Sequence, residues 1–85
     1  MRSPPTVVLY ARPDCHLCEV ALAELEALLA DGVEFELERV DIDSDEDLLR
    51  RHLESIPVIE LDGEEVSRLG LDADGLRARL ATVSQ

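Results

Sequence analysis

The only two thiols of the chain, Cys15 and Cys18, are separated by two residues. A pair at this spacing can cycle between dithiol and disulfide, or it can supply two ligands to a metal. It closes too short a loop to hold a fold together, whereas small secreted domains are held by several long-range bridges. The spacing therefore predicts redox chemistry or metal binding rather than a structural cross-link.

The elements that flank the pair make its two thiols chemically unequal. An unbroken apolar run within residues 6–11 predicts a strand at the centre of a sheet, covered on both faces, and apolar residues at helical spacing predict a helix over about 17–30. Cys15 then lies at the start of the helix, where unpaired backbone N–H groups favour a thiolate, and Cys18 lies one turn further in. We therefore expect Cys15 to act as the nucleophile and the more covered Cys18 as the resolving thiol.

The middle of the chain predicts a second strand and a short second helix. Apolar and acidic residues alternate over 33–38, which is typical of an edge strand, and the apolar phase slips after Arg39, which predicts a bulge or the end of the strand there. Ser44 and Asp47 resemble a capping box, and we expect them to open a helix that reaches Leu53.

The last third of the chain predicts a hairpin and a final helix. The turn sequence Asp62-Gly63 separates two strand-like segments, 58–61 and 64–66, and Asp72 is placed to cap the final helix. The order of elements is therefore β-α-β-α-β-β-α, in which the first β-α-β unit makes its two strands parallel. This order predicts an α/β fold with a four-stranded mixed sheet flanked by helices.

Length and charge limit the number of domains and the classes of partner. A chain of 85 residues has the size of one small domain, which we expect to span residues 1–85, and its formal net charge is −12. An acidic surface repels nucleic acids and anionic membranes, and no apolar run approaches the roughly 18 residues of a spanning helix. The start of the chain lacks an apolar segment of signal-peptide length. We therefore expect a cytoplasmic monomer that binds neither nucleic acid nor membrane.

Two features of the chain are shared with a known superfamily. The Cys15–Cys18 motif lies at a strand-to-helix turn, and Ile56-Pro57 precedes a later strand. In these features the sequence resembles the glutaredoxin and thioredoxin superfamily, and most closely its small bacterial glutaredoxin-like proteins. The resemblance spans nearly the whole chain and implies a thioredoxin fold that acts on protein or small-molecule disulfides. It also implies that Pro57 follows a cis peptide bond facing the cysteines, and that the backbone of Ile56 pairs with an extended substrate.

The chain departs from both families within these motifs. Glutaredoxins typically have a proline and an aromatic between their cysteines and a Gly-Gly pair that helps to hold glutathione, whereas this chain has His16, Leu17 and a lone Gly70. Thioredoxins have a tryptophan before the motif, and this chain contains none. We therefore predict no tightly bound cofactor, and we leave open whether the reductant is glutathione, a thioredoxin reductase or neither of them.

A second function is compatible with the same residues. A redox-inactive module could use the cysteine pair and the cleft beside Pro57 to hold a peptide, a metal or an iron-sulfur cluster. A structural zinc site generally needs four ligands, and His16 and His52 are too few to complete one within the chain. We therefore predict no metal site and retain this module as the alternative.

Polar side chains near the motif are candidates for supporting roles. Arg12 is placed to assist the thiolate or to bind a substrate carboxylate, and His16, between the two sulfurs, is placed to tune their redox potential. His52 follows two arginines on the predicted short helix, where we expect an ordinary surface residue. We expect Tyr10 to belong to the core rather than to the chemistry.

Overall fold

The computed structural model describes residues 4–83. Four strands and three helices follow the predicted order: β1 (Thr6–Ala11), α1 (His16–Ala30), β2 (Glu36–Asp41), α2 (Glu46–His52), β3 (Val58–Leu61), β4 (Glu64–Arg68) and α3 (Ala73–Val83). A short 3-10 turn, Ile42–Ser44, connects β2 to α2. The sheet order is β2-β1-β3-β4, in which β1 is parallel to β2 and antiparallel to β3, and β4 is antiparallel to β3. The predicted four-stranded mixed sheet is confirmed.

The central strand, β1, is fully covered on one face only. Val7, Leu9 and Ala11 are buried and pack with apolar side chains of α1 and α3 in the main core, whereas Val8 and Tyr10 on the opposite face are half-buried. The prediction that both faces are covered is therefore wrong. The reason is the length of α2, which has only 7 residues and covers only part of the second face.

The edge strand β2 lies further along the chain than the alternation of side chains predicts. It spans Glu36–Asp41 and pairs in continuous register with the whole of β1. No bulge interrupts this register, so the predicted break after Arg39 is wrong. Pairing with β1 extends the strand because parallel hydrogen bonding depends on the backbone rather than on the alternation of side chains.

Asp45, rather than Ser44, caps α2. The Asp45 carboxylate accepts the backbone N–H of Asp47 at 2.8 Å and that of Leu48 at 3.4 Å. The hydroxyl of Ser44 donates instead to the backbone oxygen of Asp41 at 2.6 Å. The predicted capping box is therefore wrong by one residue, although the helix that it predicted is present.

The hairpin turn and the cap of the final helix are the ones that the sequence predicts. Asp62 and Gly63 form the turn between β3 and β4 with φ angles of 50° and 90°, a conformation that favours these residue types. Oδ1 of Asp72 accepts the backbone N–H of Gly75 at 3.1 Å and thereby caps α3. Both predictions are confirmed, because each depends on residues that are neighbours in the chain.

Candidate active site

The cysteine motif and Pro57 lie at the same edge of the sheet. Tyr10, near the end of β1, pairs with Val58, the first residue of β3. The chain leaving β1 toward Cys15 therefore passes beside the chain that enters β3 through Pro57. Cys15 and Ile56 pack against the same core cluster, and Pro57 is buried. The Ile56–Pro57 peptide bond is cis, as the resemblance predicted.

The loop between β1 and α1 turns the chain so that Cys15 caps the helix. Asp14 adopts φ of 61°, which aspartate tolerates better than most residues. Cys15 is extended, and its Sγ accepts the backbone N–H of Cys18 at 3.2 Å. The sulfur of Cys15 therefore occupies the N-terminus of α1, where negative charge is stabilised by the helix dipole and by unpaired N–H groups.

The two thiols differ in accessibility in the predicted direction. Cys15 is half-buried, whereas Cys18 is 2% exposed and belongs to the core cluster. Burial raises the pKa of Cys18 to about 11, and the hydrogen bond with Cys15 acts in the same direction. A backbone hydrogen bond from Arg12 opposes this increase in pKa. At neutral pH, Cys18 is therefore a protonated thiol beside a more accessible sulfur.

The raised pKa of Cys18 predicts a loss of stability at alkaline pH. In the reduced protein, the thiol is protonated in both the folded and the unfolded chain below about pH 8.5, so the full stability is present there. Between that pH and about 11, only the unfolded chain releases the proton, so the free energy of unfolding falls as the pH rises. Urea denaturation at neutral and at alkaline pH is expected to show a larger loss for the wild type than for Cys18→Ala. Equal losses of stability in the two proteins would contradict the raised pKa of Cys18 as the cause.

Arg12 and His16 lie in different environments: Arg12 forms an ion pair, and His16 is exposed. The Arg12 guanidinium lies with its Nε 2.9 Å from Oδ1 of Asp43, so that an ion pair links the cysteine loop to the turn after β2. His16 is the exposed first residue of α1. Their predicted roles in assisting the thiolate, binding a carboxylate and tuning the redox potential stay predictions.

One histidine that we expected on the surface is buried. His52 is 6% exposed, and its ring stacks on Tyr10 with the ring centroids 4.7 Å apart. His52 lies three and four residues after Leu49 and Leu48, so it shares a helix face with two apolar side chains. The surface prediction is therefore wrong, and this spacing was the signal that could have corrected it. Tyr10 is half-buried on the sheet face that α2 covers.

The loop between β4 and α3 also reaches this edge of the sheet. The backbone N–H of Leu69 donates to the carbonyl oxygen of Ser55 at 2.9 Å, just before Ile56–Pro57. Leu69 has φ of 62°, which is unfavourable for leucine, and its side chain is 59% exposed. A strained backbone thus holds an apolar side chain in solvent beside the candidate site.

Two kinds of feature are absent from residues 4–83. Within this range, no group of three or more His, Cys, Asp or Glu side chains is arranged to hold a metal ion. No helix in the same range combines the length and the apolar character needed to cross a membrane.

The fold and the site together define the class of protein. A mixed sheet in the order β2-β1-β3-β4, three helices and a cysteine pair at the first strand-to-helix junction are the features of a thioredoxin-fold protein. Residues 6–81 match the model of the glutaredoxin-like domain family (DUF836), and the chain belongs to this family. The search of curated proteins found no match.

Solved structures of similar proteins agree with this classification. The solution NMR structure of protein Ne2328 from Nitrosomonas europaea is 34% identical with a TM-score of 0.78, and the match covers 93% of this chain and 94% of that chain. Protein XcR50 from X. campestris is 35% identical with a TM-score of 0.66, covering 89% and 96%. A mutant thioredoxin from Halobacterium salinarum NRC-1, at 20% identity and a TM-score of 0.69 over 95% and 75%, is similar in fold alone.

Proposed function

We propose that the protein is a thiol-disulfide oxidoreductase whose cysteine pair cycles between dithiol and disulfide. One observation supports this above all: the half-buried sulfur of Cys15 accepts the backbone N–H of Cys18, whose own sulfur is buried one turn further along α1. The cysteine pair at the start of α1 is typical of redox-active thiols, and membership of the glutaredoxin-like domain family is consistent with such a role.

The proposed reaction has two exchange steps. The Cys15 thiolate attacks one sulfur of a substrate disulfide, so that a mixed disulfide forms and the other substrate sulfur leaves as a thiolate. Cys18 then loses its proton and attacks the Cys15 sulfur, which releases the second substrate thiol and closes the Cys15–Cys18 disulfide. An external thiol reductant, either glutathione or a thioredoxin reductase, returns two electrons and two protons to the pair.

The raised pKa of Cys18 separates the roles of the two thiols. A protonated thiol is a poor nucleophile, so Cys18 does not compete with Cys15 for the substrate at neutral pH. Burial also keeps the substrate away from the Cys18 sulfur. The Cys18 sulfur is then left to react with the neighbouring Cys15 sulfur once a mixed disulfide has formed.

The surroundings of Cys15 indicate how a substrate disulfide could be held. The cis Ile56–Pro57 segment lies beside the cysteine loop. Because the Ile56 N–H already donates to the His52 carbonyl, the backbone oxygen of Ile56 is the group that we propose for binding an extended substrate. Leu17 and Leu69 are 53% and 59% exposed and provide apolar surface near the same edge. The formal net charge of −12 favours association with substrates that carry basic patches. We therefore propose protein or small-molecule disulfides as substrates.

The reduction potential of the cysteine pair tests the proposal directly. We expect a value in the range of known dithiol reductants, about −270 to −200 mV. The protein would be equilibrated in thiol-disulfide buffers of known potential, and its free thiols would be alkylated and counted by mass spectrometry. Cys18→Ser, which cannot form the internal bridge, is the control for disulfides made with the buffer.

Two results would contradict an oxidoreductase. One is a pair that stays reduced across the whole range of buffers, because it could then donate no electrons to a substrate disulfide. The other is stoichiometric zinc or a coloured cluster in the purified protein, which would favour the redox-inactive binding module. Turnover measured separately with glutathione and with a thioredoxin reductase would identify the reductant.

A further inference from the structure

His52 contacts two parts of the chain that meet at the candidate active site. His52 is 6% exposed, and its ring stacks on Tyr10 with centroids 4.7 Å apart and planes 27° apart. Its backbone carbonyl accepts the N–H of Ser55 at 2.8 Å and that of Ile56 at 3.0 Å. One residue therefore touches the end of β1 through its ring and holds the segment before Pro57 through its main chain.

Tyr10 is itself held from two sides. Its hydroxyl donates to Oε1 of Glu60 in β3 at 3.1 Å, and its backbone pairs with Val58. Burial and the hydrogen bond to the Glu60 carboxylate raise the pKa of Tyr10 above its ordinary value, so the hydroxyl remains a donor at neutral pH. The ring on which His52 stacks is therefore fixed relative to the loop that follows β1.

The position of His52 is explained by its ring rather than by its hydrogen bonding. Within residues 4–83, Nε2 of His52 is buried and has no hydrogen-bond partner. A buried polar atom without a partner is unfavourable, so it does not stabilise this arrangement. Stacking on Tyr10 is the contact through which the side chain joins α2 to the sheet.

We propose that the Tyr10–His52 stack is a positioning pair that sets the place of the Ile56–Pro57 segment relative to Cys15. The inference rests on the proposed function, because it concerns where a substrate disulfide is held during attack. Neither ring is a catalytic residue, since both lie on the sheet face opposite the main core and act through the backbone. A small displacement of the reacting groups lowers the rate by a large factor. Extended substrates should be affected most, because they are the ones that the Ile56–Pro57 segment is proposed to hold.

Kinetics with a disulfide-bonded peptide, together with alkylation of Cys15 by iodoacetamide, test the pair. We expect His52→Ala to raise the KM for the peptide about tenfold and to leave the alkylation rate within about twofold, because the thiol is untouched. His52→Phe keeps a stacked ring and removes the unpaired nitrogen, so we expect the KM to return to within about twofold of the wild type. Leu28→Ala removes a buried side chain toward the other end of α1 and is the control for lowered stability alone.

Amide hydrogen exchange gives a second measurement that needs no turnover. The amides of Ser55 and Ile56 should exchange about tenfold faster in His52→Ala, but not in His52→Phe or Leu28→Ala. Unchanged protection, a KM shift that Leu28→Ala reproduces, or no recovery in His52→Phe would overturn the positioning role and leave the oxidoreductase proposal intact. A wild-type protein that reduces no disulfide would overturn both.

Discussion

Cys15→Ser is expected to lower the rate of disulfide reduction at least about a thousandfold, because a serine hydroxyl is not ionised at neutral pH and cannot replace a thiolate as nucleophile. The Cys15 sulfur is the accessible member of the pair and accepts the backbone N–H of Cys18 at the N-terminus of α1. Steady-state reduction of a peptide disulfide measures the loss. A variant that keeps more than about a tenth of the wild-type rate would rule out Cys15 as the nucleophile.

The choice of substituent separates lost chemistry from lost folding. Serine is a favourable N-cap and can accept the same Cys18 N–H, whereas alanine cannot, so Cys15→Ala should be less stable than Cys15→Ser by about 0.5–2 kcal/mol. Both variants should be equally inactive. If Cys15→Ser kept far more activity than Cys15→Ala, the activity would follow the stability of the variants. Cys15 would then support activity by stabilising the fold rather than as the nucleophile.

Cys18→Ser is expected to accumulate close to one equivalent of mixed disulfide on Cys15, because the first exchange step remains and the resolving thiol is absent. The wild type should show almost none, since its buried Cys18 lies one turn along α1 from the attacked sulfur. Mass spectrometry of acid-quenched samples detects the adduct, and a reducing agent should remove it. Failure to trap an adduct would contradict the role of Cys18.

The same variant identifies the route of electrons. If glutathione can reach the Cys15 sulfur, adding it should resolve the mixed disulfide and restore part of the turnover of Cys18→Ser. A thioredoxin reductase should not restore it, because such an enzyme reduces the internal disulfide, which the variant cannot form. Recovery with glutathione alone would therefore assign glutathione as a competent reductant, and no recovery would favour the dithiol route.

Features that depend on neighbouring residues were predictable from the sequence. Apolar spacing predicts α1, the conformational preferences of Asp62 and Gly63 predict the hairpin turn, and a single carboxylate predicts the cap of α3. The unequal exposure of Cys15 and Cys18 follows from one turn of helix between them. The cis bond before a later proline is different, because it was expected only from the family resemblance and not from the residues themselves.

The errors concern contacts between distant parts of the chain. The extent of β2 depends on pairing with β1, and the partial cover of the second sheet face depends on the short length of α2. His52 was assigned to the surface because it follows two arginines in the sequence, yet the sheet supplies the ring that covers it. The hydrogen bond from the Leu69 N–H to the Ser55 carbonyl is another contact between distant residues, and it depends on where the loop after β4 lies.

The sequence by itself determined which residues could carry the chemistry and the order of the elements around them, because local spacing and local hydrogen bonds decide both. Only the tertiary structure decided which side chains meet across elements: Arg12 with Asp43, and Tyr10 with His52. The partners in these pairs are far apart along the chain. Their contact depends on the order of the strands and on the packing of α2 against the sheet, and neither is encoded in any short stretch of residues.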